Sequence, residues 1–243
     1  MTSLTYVRFE VLRNFRIWQF VFFSVAWPLI VFFTVASVNR HVMFDGVSFP
    51  LYFMTGMAAM GTMIAVVSRG SLIAIERAIG WTRQMRLTPL RPATYLGAKV
   101  LCGYLAALIT IAAMCAAGSI LGVRLSAGQW LTTTGLLLVG LIPFSVLGIL
   151  FGHLLSQDAL MPAVGGTTTM LAFLGGAYGF EVAKSGPVFE VIKGLPSYWL
   201  VQAGKAASGG AGWPAEAWIV ITVWTLILVP VTVLVYRRDT GRV

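Results

Sequence analysis

GVSFPLYFMTGMAAMGTMIAVVS, residues Gly46–Ser68, runs for 23 positions without Asp, Glu, Lys or Arg. A bilayer core about 30 Å thick is crossed by roughly 20 apolar helical residues, so this run alone predicts a transmembrane helix. Five further uncharged runs, Ile17–Val38, Val100–Val123, Leu125–Gln157, Ala159–Phe180 and Ala217–Tyr236, are long enough to do the same. The 243-residue chain is 58% hydrophobic and 10% charged. A soluble domain is about 45–50% apolar and about a quarter charged. The expected fold is an all-α integral membrane protein with six transmembrane helices, one unit over residues 1–243. The first run has 22 uncharged residues, too long for the roughly 7–15 of a cleavable signal core, and is expected to be a span.

The net charge of +9 follows from topology. Six spans put both termini on one side, and the positive-inside rule selects the side. With the termini cytoplasmic, the inner segments carry Arg8, Arg13, Arg16, Arg69, Arg77, Arg83, Arg86, Arg91, Lys99, Arg237, Arg238 and Arg242. The outer segments carry only Arg40, Arg124, Lys184, Lys193 and Lys205. No basic groove with interleaved aromatics accompanies these charges, so no nucleic-acid partner is expected.

Catalytic and metal chemistry are not expected either. Cys102 and Cys115 lie on one span, about 20 Å apart at 1.5 Å per residue, beyond disulfide reach. His41 and His153 have no metal-ligand spacing. No carboxylate falls in the middle of a span, which counts against a proton relay. The closest phosphate-loop match, Gly56-Met-Ala-Ala-Met-Gly61-Thr62, lacks the lysine and lies inside a span. No cofactor is expected in this chain.

Residues 1–16 form a basic lead-in in which Leu4, Val7, Val11, Phe15 and Trp18 recur at helical spacing. This suits an amphipathic interface helix in contact with lipid, and equally a positive-inside flank. Pro28, Pro143 and Pro230 are expected to kink spans one, four and six. Gly118-x-x-x-Gly122 and Gly148-x-x-x-Gly152 are small-residue seams for close helix packing, more simply within one subunit than between two. Residues 181–216 mix Trp, Tyr and Leu with single charges, as expected of short re-entrant or interfacial helices before the last span.

The charged stretch stands between spans two and three, in a loop over 69–95. Leu72, Ile75 and Ile79 share one helical face, which leaves Glu76, Arg77, Arg83 and Arg86 to a polar partner. Gly80 permits a bend, and Thr88-Pro89 ends the helix because the residue before proline avoids the α region. An ordinary cytoplasmic loop would satisfy the same pattern. Glu76-Arg77, Gly80, Thr82, then Leu87-Thr88-Pro89-Leu90 and Pro92, resemble the Glu-Arg-Glu-x-Gly-Thr … Leu-x-x-Thr-Pro-Leu-x-Pro signature of ABC-2 type permeases, the membrane subunits of type V ABC exporters, here of the drug-resistance-like branch. Pro196-Ser-Tyr-Trp199 resembles that family's proline-aromatic outer region. Ala78 replaces a second glutamate, and Gly175-Gly-Ala-Tyr-Gly179 replaces the usual Ser-Gly-x-x-x-Pro end of span five.

The resemblance implies a coupling helix seated on a separate ATPase, with Glu76, Arg77, Gly80, Thr82, Arg83, Arg86, Leu87, Thr88 and Pro89 as its residues. It implies two ATPase copies binding ATP and Mg, and a second permease copy or homologue. It places the chain in the cell membrane. It implies a path lined by spans two and five, with Phe53, Met54, Met57, Thr168 and Phe173 as candidates. Soft methionines suit a lipophilic or amphipathic cargo, although packing explains each of them as well. A sensor or scaffold that docks a soluble partner, and an ATP-independent secondary transporter, are the alternatives the residues leave open.

Overall fold

The computed structural model describes residues 3–14, 22–44, 46–81, 84, 92–179, 185–208 and 212–240. Its helices in chain order are α1 (Ser3–Asn14), a π-helical turn Phe22–Ala26 leading into α2 (Trp27–Val38), α3 (Phe49–Ser71), α4 (Ile73–Ala78), α5 (Pro92–Ile120) and α6 (Ala127–Gly140). These are followed by α7 (Ile142–Leu154), α8 (Gln157–Leu174), α9 (Pro187–Lys193), α10 (Pro196–Ser208) and α11 (Ala215–Thr240). One hairpin, β1 (Met43–Phe44) against β2 (Val47–Ser48), precedes α3. The protein is an all-α membrane protein.

Among the described residues, four helical stretches have the length and apolar character of a span: Phe49–Ala78, Pro92–Ile120, Ala127–Leu154 and Ala215–Asp239. The other two expected spans are shorter. Phe22–Val38 is an apolar helix whose expected first residues lie outside the described ones. Helix α8 has 18 residues, and Gly165-Gly-Thr-Thr-Thr169 dilutes its apolar character.

Helix α3 is the axis of the bundle. It packs against α2, α5, α7, α8 and α10, and 94% of its spanning window is buried, against 11% for α11. Both are apolar all round, because lipid is as good a solvent for Leu and Val as a protein core is. What draws such helices together is close van der Waals approach, which small residues permit. Gly148 supplies it on α7: a Cβ there would lie 2.6 Å from the Val67 carbonyl oxygen, and one on Gly152 would lie 2.7 Å from Ile73 Cβ. This is the expected seam of span four, and it is formed within one chain.

The other seam divides its work. Gly118 lies against Met54, where a Cβ would meet the sulfur at 2.2 Å. Gly122 packs on nothing; it ends the helix at φ +86°. There Val123 N–H donates to Gly118 O at 2.9 Å and Gly122 N–H to Ser119 O at 3.2 Å, the paired bonds that let a left-handed residue close a helix. Ser126 then opens α6 with a reciprocal cap, accepting from Gln129 N–H while Gln129 Oε1 accepts from Ser126 N–H. Pro143 sits just inside α7 and marks the break between α6 and α7.

At the end of the bundle away from α4, α10 dips inward. It buries Trp199, Leu200, Val201 and Ala203 and packs on α3, α6 and α8. Trp199 Nε1 donates to Lys193 O, and Trp224 Nε1 on α11 donates to Gly194 O, both at 2.7 Å. These bonds tie α9 to both neighbours, as the expected short helices before the last span require.

Gly148→Ala should lower the thermal unfolding midpoint in detergent, since overpacking a close contact costs about 1–3 kcal/mol. Gly135→Ala, at a position with nothing within 4 Å, should leave the midpoint unchanged or raise it. Equal midpoints for the two variants would remove the seam from the account of packing.

Candidate functional site

Helix α3 does not stop at Ser71. Leu72 keeps α-helical dihedrals and accepts from Glu76 N–H at 3.1 Å, so α4 continues the same chain direction after a slight break. Leu72, Ile73 and Ala74 turn inward, and so does Glu76, at 4% exposure. The expected apolar face is therefore corrected: Ile79 is the residue left outside, 66% exposed. Gly80 follows at φ +76°, bending the chain away.

Glu76 enters a closed set of charges contributed by α1 and α5. Its Oε1 accepts from Lys99 Nζ at 2.6 Å and from Arg13 Nη2, while Oε2 accepts from Tyr95 O–H at 2.5 Å. Lys99 also donates to Glu10, and Arg13 donates to Glu10 Oε1 at 3.0 Å. Glu10 and Lys99 have no exposed surface. Two carboxylates face two cations, so the set is neutral.

Helical spacing explains who takes part. Tyr6, Glu10 and Arg13 fall at i, i+4 and i+7 on α1, one face; Tyr95 and Lys99 are i, i+4 on α5. The Arg13 guanidinium also lies 5.7 Å from the Trp81 ring. Burial works against the Arg13 charge, yet the Glu76 and Glu10 carboxylates raise its pKa above the ordinary value. Burial, then Glu10, raises the Tyr6 phenol, which stays neutral.

Arg77 turns the other way. Its Nη1 donates to the carbonyls of Gly152 at 3.1 Å and His153 at 2.8 Å, two of the C-terminal carbonyls of α7 that have no partner within the helix. Its Nη2 lies 2.8 Å from Asp239 Oδ1 on α11. Asp239 Oδ2 in turn meets His153 Nδ1 at 2.9 Å, and Tyr236 stands edge-on to the His153 ring. Glu76 and Arg77, expected to be free for a polar partner, are both engaged inside the chain. Thr82, Arg83, Arg86, Leu87, Thr88 and Pro89 lie outside the described residues.

The five path candidates fare differently. Phe53, Met54 and Met57 are core, at 2%, 2% and 0% exposure, with Phe53 stacked between Phe32 and Phe49. Thr168 is fully buried, its hydroxyl donating to Val164 O at 2.6 Å. Phe173 alone faces out, 42% exposed. Within this one chain Phe53, Met54, Met57 and Thr168 are enclosed by neighbouring helices, and of the five only Phe173 reaches the surface. On α1, Phe9 and Leu12 point outward and Val7 and Val11 are half-buried; the side chains of Leu4, Phe15 and Trp18 lie outside the described ones.

Glu10, Tyr95, Lys99, His153 and Asp239 are site residues that sequence reasoning missed: Lys99 counts there only as an inner charge, Glu10 and Asp239 as carboxylates outside the span centres, His153 as a residue without metal-ligand spacing, and Tyr95 is not singled out. Their helical spacing was visible, but which helices would meet was not.

Lys99→Met should leave two buried carboxylates with one cation and cost about 3–5 kcal/mol. Lys193→Met, which breaks a loose 3.8 Å pair with Glu216 and a cation–π contact 5.2 Å from the Phe189 ring, should cost no more than about 1–2 kcal/mol. Chemical unfolding of the two variants in detergent measures the difference.

Comparison with known proteins meets this geometry from a second side. The chain is 26% identical over 192 residues, 78% of each chain, to the Bacillus subtilis (strain 168) protein named "Putative transport permease YvfS". The profile described as ABC-2 family transporter protein matches residues 36–236, from the end of α2 almost to the end of α11. A match of that extent, taking in the central span and the segment it carries, makes this chain a member of the ABC-2 transporter family.

Proposed function

We propose that this permease is the membrane-spanning half of an ATP-driven exporter, with ATP and Mg bound by a separate ATPase. The observation that carries this reading is the direct continuation of α3 into α4. A force applied to the segment beyond Gly80 reaches the most buried helix of the bundle through one backbone, with the bend at Gly80 and the slight break at Leu72 between them. Arg83, Arg86 and the Leu87-Thr88-Pro89 turn would meet the ATPase, and Glu76, Arg77 and Gly80 would hold the segment in place.

Two permeases, identical or homologous, would work with two ATPases in the cell membrane, both termini cytoplasmic. Helix α8 offers a face suited to a second copy, with Gly165, Gly166, Thr169 and Met170 exposed and no atom within 4 Å of a Cβ at either glycine. The cargo would be a lipophilic or amphipathic compound, in keeping with a drug-resistance-like branch. Phe53, Met54, Met57 and Thr168 would line its path only after α3 and α8 separate, with Phe173 at the edge. A state populated at 1:99 is inverted by a ligand preferring it by about 5.5 kcal/mol, which is what nucleotide binding to the ATPases would have to supply.

Mild-detergent purification from native membranes, with mass spectrometry of what co-purifies, tests the reading. A stoichiometric partner carrying Gly-x-x-x-x-Gly-Lys-Ser/Thr is the expected result. Repeated recovery of the chain with no nucleotide-binding protein would overturn it in favour of a sensor, a scaffold or a secondary transporter.

A further inference from the structure

Adjacent residues on a helix project about 100° apart, so one dipeptide can reach two walls. Glu76 and Arg77 do so with opposite charges. The wall facing Glu76 is Glu10, Arg13 and Lys99, one carboxylate with two cations. The wall facing Arg77 is Asp239 and the carbonyl end of α7. Each wall is therefore complementary in charge to the residue it receives.

Each wall also holds together without α4. Glu10 on α1 pairs with Lys99 on α5, which joins the two helices, and with Arg13 on its own helix. Asp239 pairs with His153, which keeps α11 on α7. The α4 residues are additions to two existing contacts.

We infer that Glu76 and Arg77 are positioning residues that act inside the permease, plugging two preformed sockets so that the coupling segment is set between the α1–α5 and α7–α11 pairs. Their work is to fix where the segment stands. Contact with a soluble partner falls to residues beyond Gly80. A displaced segment carries α1 and α5 through Glu76, and α7 and α11 through Arg77, so both sides of the bundle register the same movement. The socket geometry belongs to this chain alone; its use in transport rests on the ATP-driven reading above.

The test begins without any ATPase. In the full chain with Cys102→Ala and Cys115→Ala, spin labels are placed at the exposed positions Ala78 and Arg8, and separately at Ala78 and Arg238. Each pair should give one narrow distance distribution in lipid nanodiscs. Glu76→Gln should broaden only the Ala78–Arg8 distribution, and Arg77→Gln only the Ala78–Arg238 one. Asp239→Asn, which leaves the segment itself intact, should broaden the second as Arg77→Gln does. If Glu76→Gln does not fold, Glu76→Asp and Asp239→Asn decide the matter. Distributions left unchanged by the substitutions would overturn the inference.

The second arm uses the co-purifying ATPase. Glu76→Gln and Arg77→Gln should bind it within about twofold of the unmodified chain, while permease-dependent ATP turnover falls tenfold or more. Glu76→Asp should recover part of that turnover. A loss of binding with unchanged label distances would put the dipeptide on the docking surface and overturn the inference. If no ATPase co-purifies, the ATP-driven reading falls and the label distances still decide the sockets.

Discussion

Lys99 has no exposed surface at all, and an ammonium so placed must be neutralised where it stands. Moving an ion into a low-dielectric interior costs several kcal/mol, returned only when geometry and hydrogen bonds are complete. Glu10, Glu76, Arg13 and Tyr95 complete it, and each comes with its helix. The docking of α1, the inward turn of α4 and the placement of Trp81 beside Arg13 all follow from the need to close this set of charges. Charges at the ends of transmembrane helices commonly reach water instead. Here they reach one another, and the end of the bundle becomes a fixed joint.

The rest of the bundle obeys a different constraint. Apolar surface gains nothing by leaving lipid for another helix, so packing density and small residues organise the spans. Gly148 and Gly152 let α7 lie on α3 and α4, and Gly56 admits the Ala177 carbonyl. That close packing explains why the methionines of α3 are core: the helix has neighbours on every side, and thioethers fill the irregular gaps left between glycines. A central, enclosed α3 whose chain runs on into α4 and is clasped there on two sides forms one continuous lever.

The candidate site was half legible before the fold was known. The Glu-Arg pair, Gly80 and the Thr-Pro turn stand out because charge and chain-breaking residues interrupt an apolar chain. Their direction did not stand out. On a helical wheel Glu76 falls on the same face as Leu72 and Ile79, where an isolated charge is not expected; at this joint a neutralised carboxylate is buried on that face and Ile79 is left outside. His153 and Asp239 are 86 positions apart in sequence and had no reason to be paired until α7 and α11 met.

What the sequence determined by itself is what depends on local physics: uncharged runs long enough to span, and the prolines and glycines that break helices. These follow from transfer energies and backbone preferences, which act residue by residue. Tertiary structure alone decided which apolar helix is central and which faces lipid, since α3 and α11 are both long and apolar enough to span. It also decided that Glu10, Lys99 and Glu76 are partners, because an ion pair between distant segments is a property of proximity, and proximity is settled only when the helices pack.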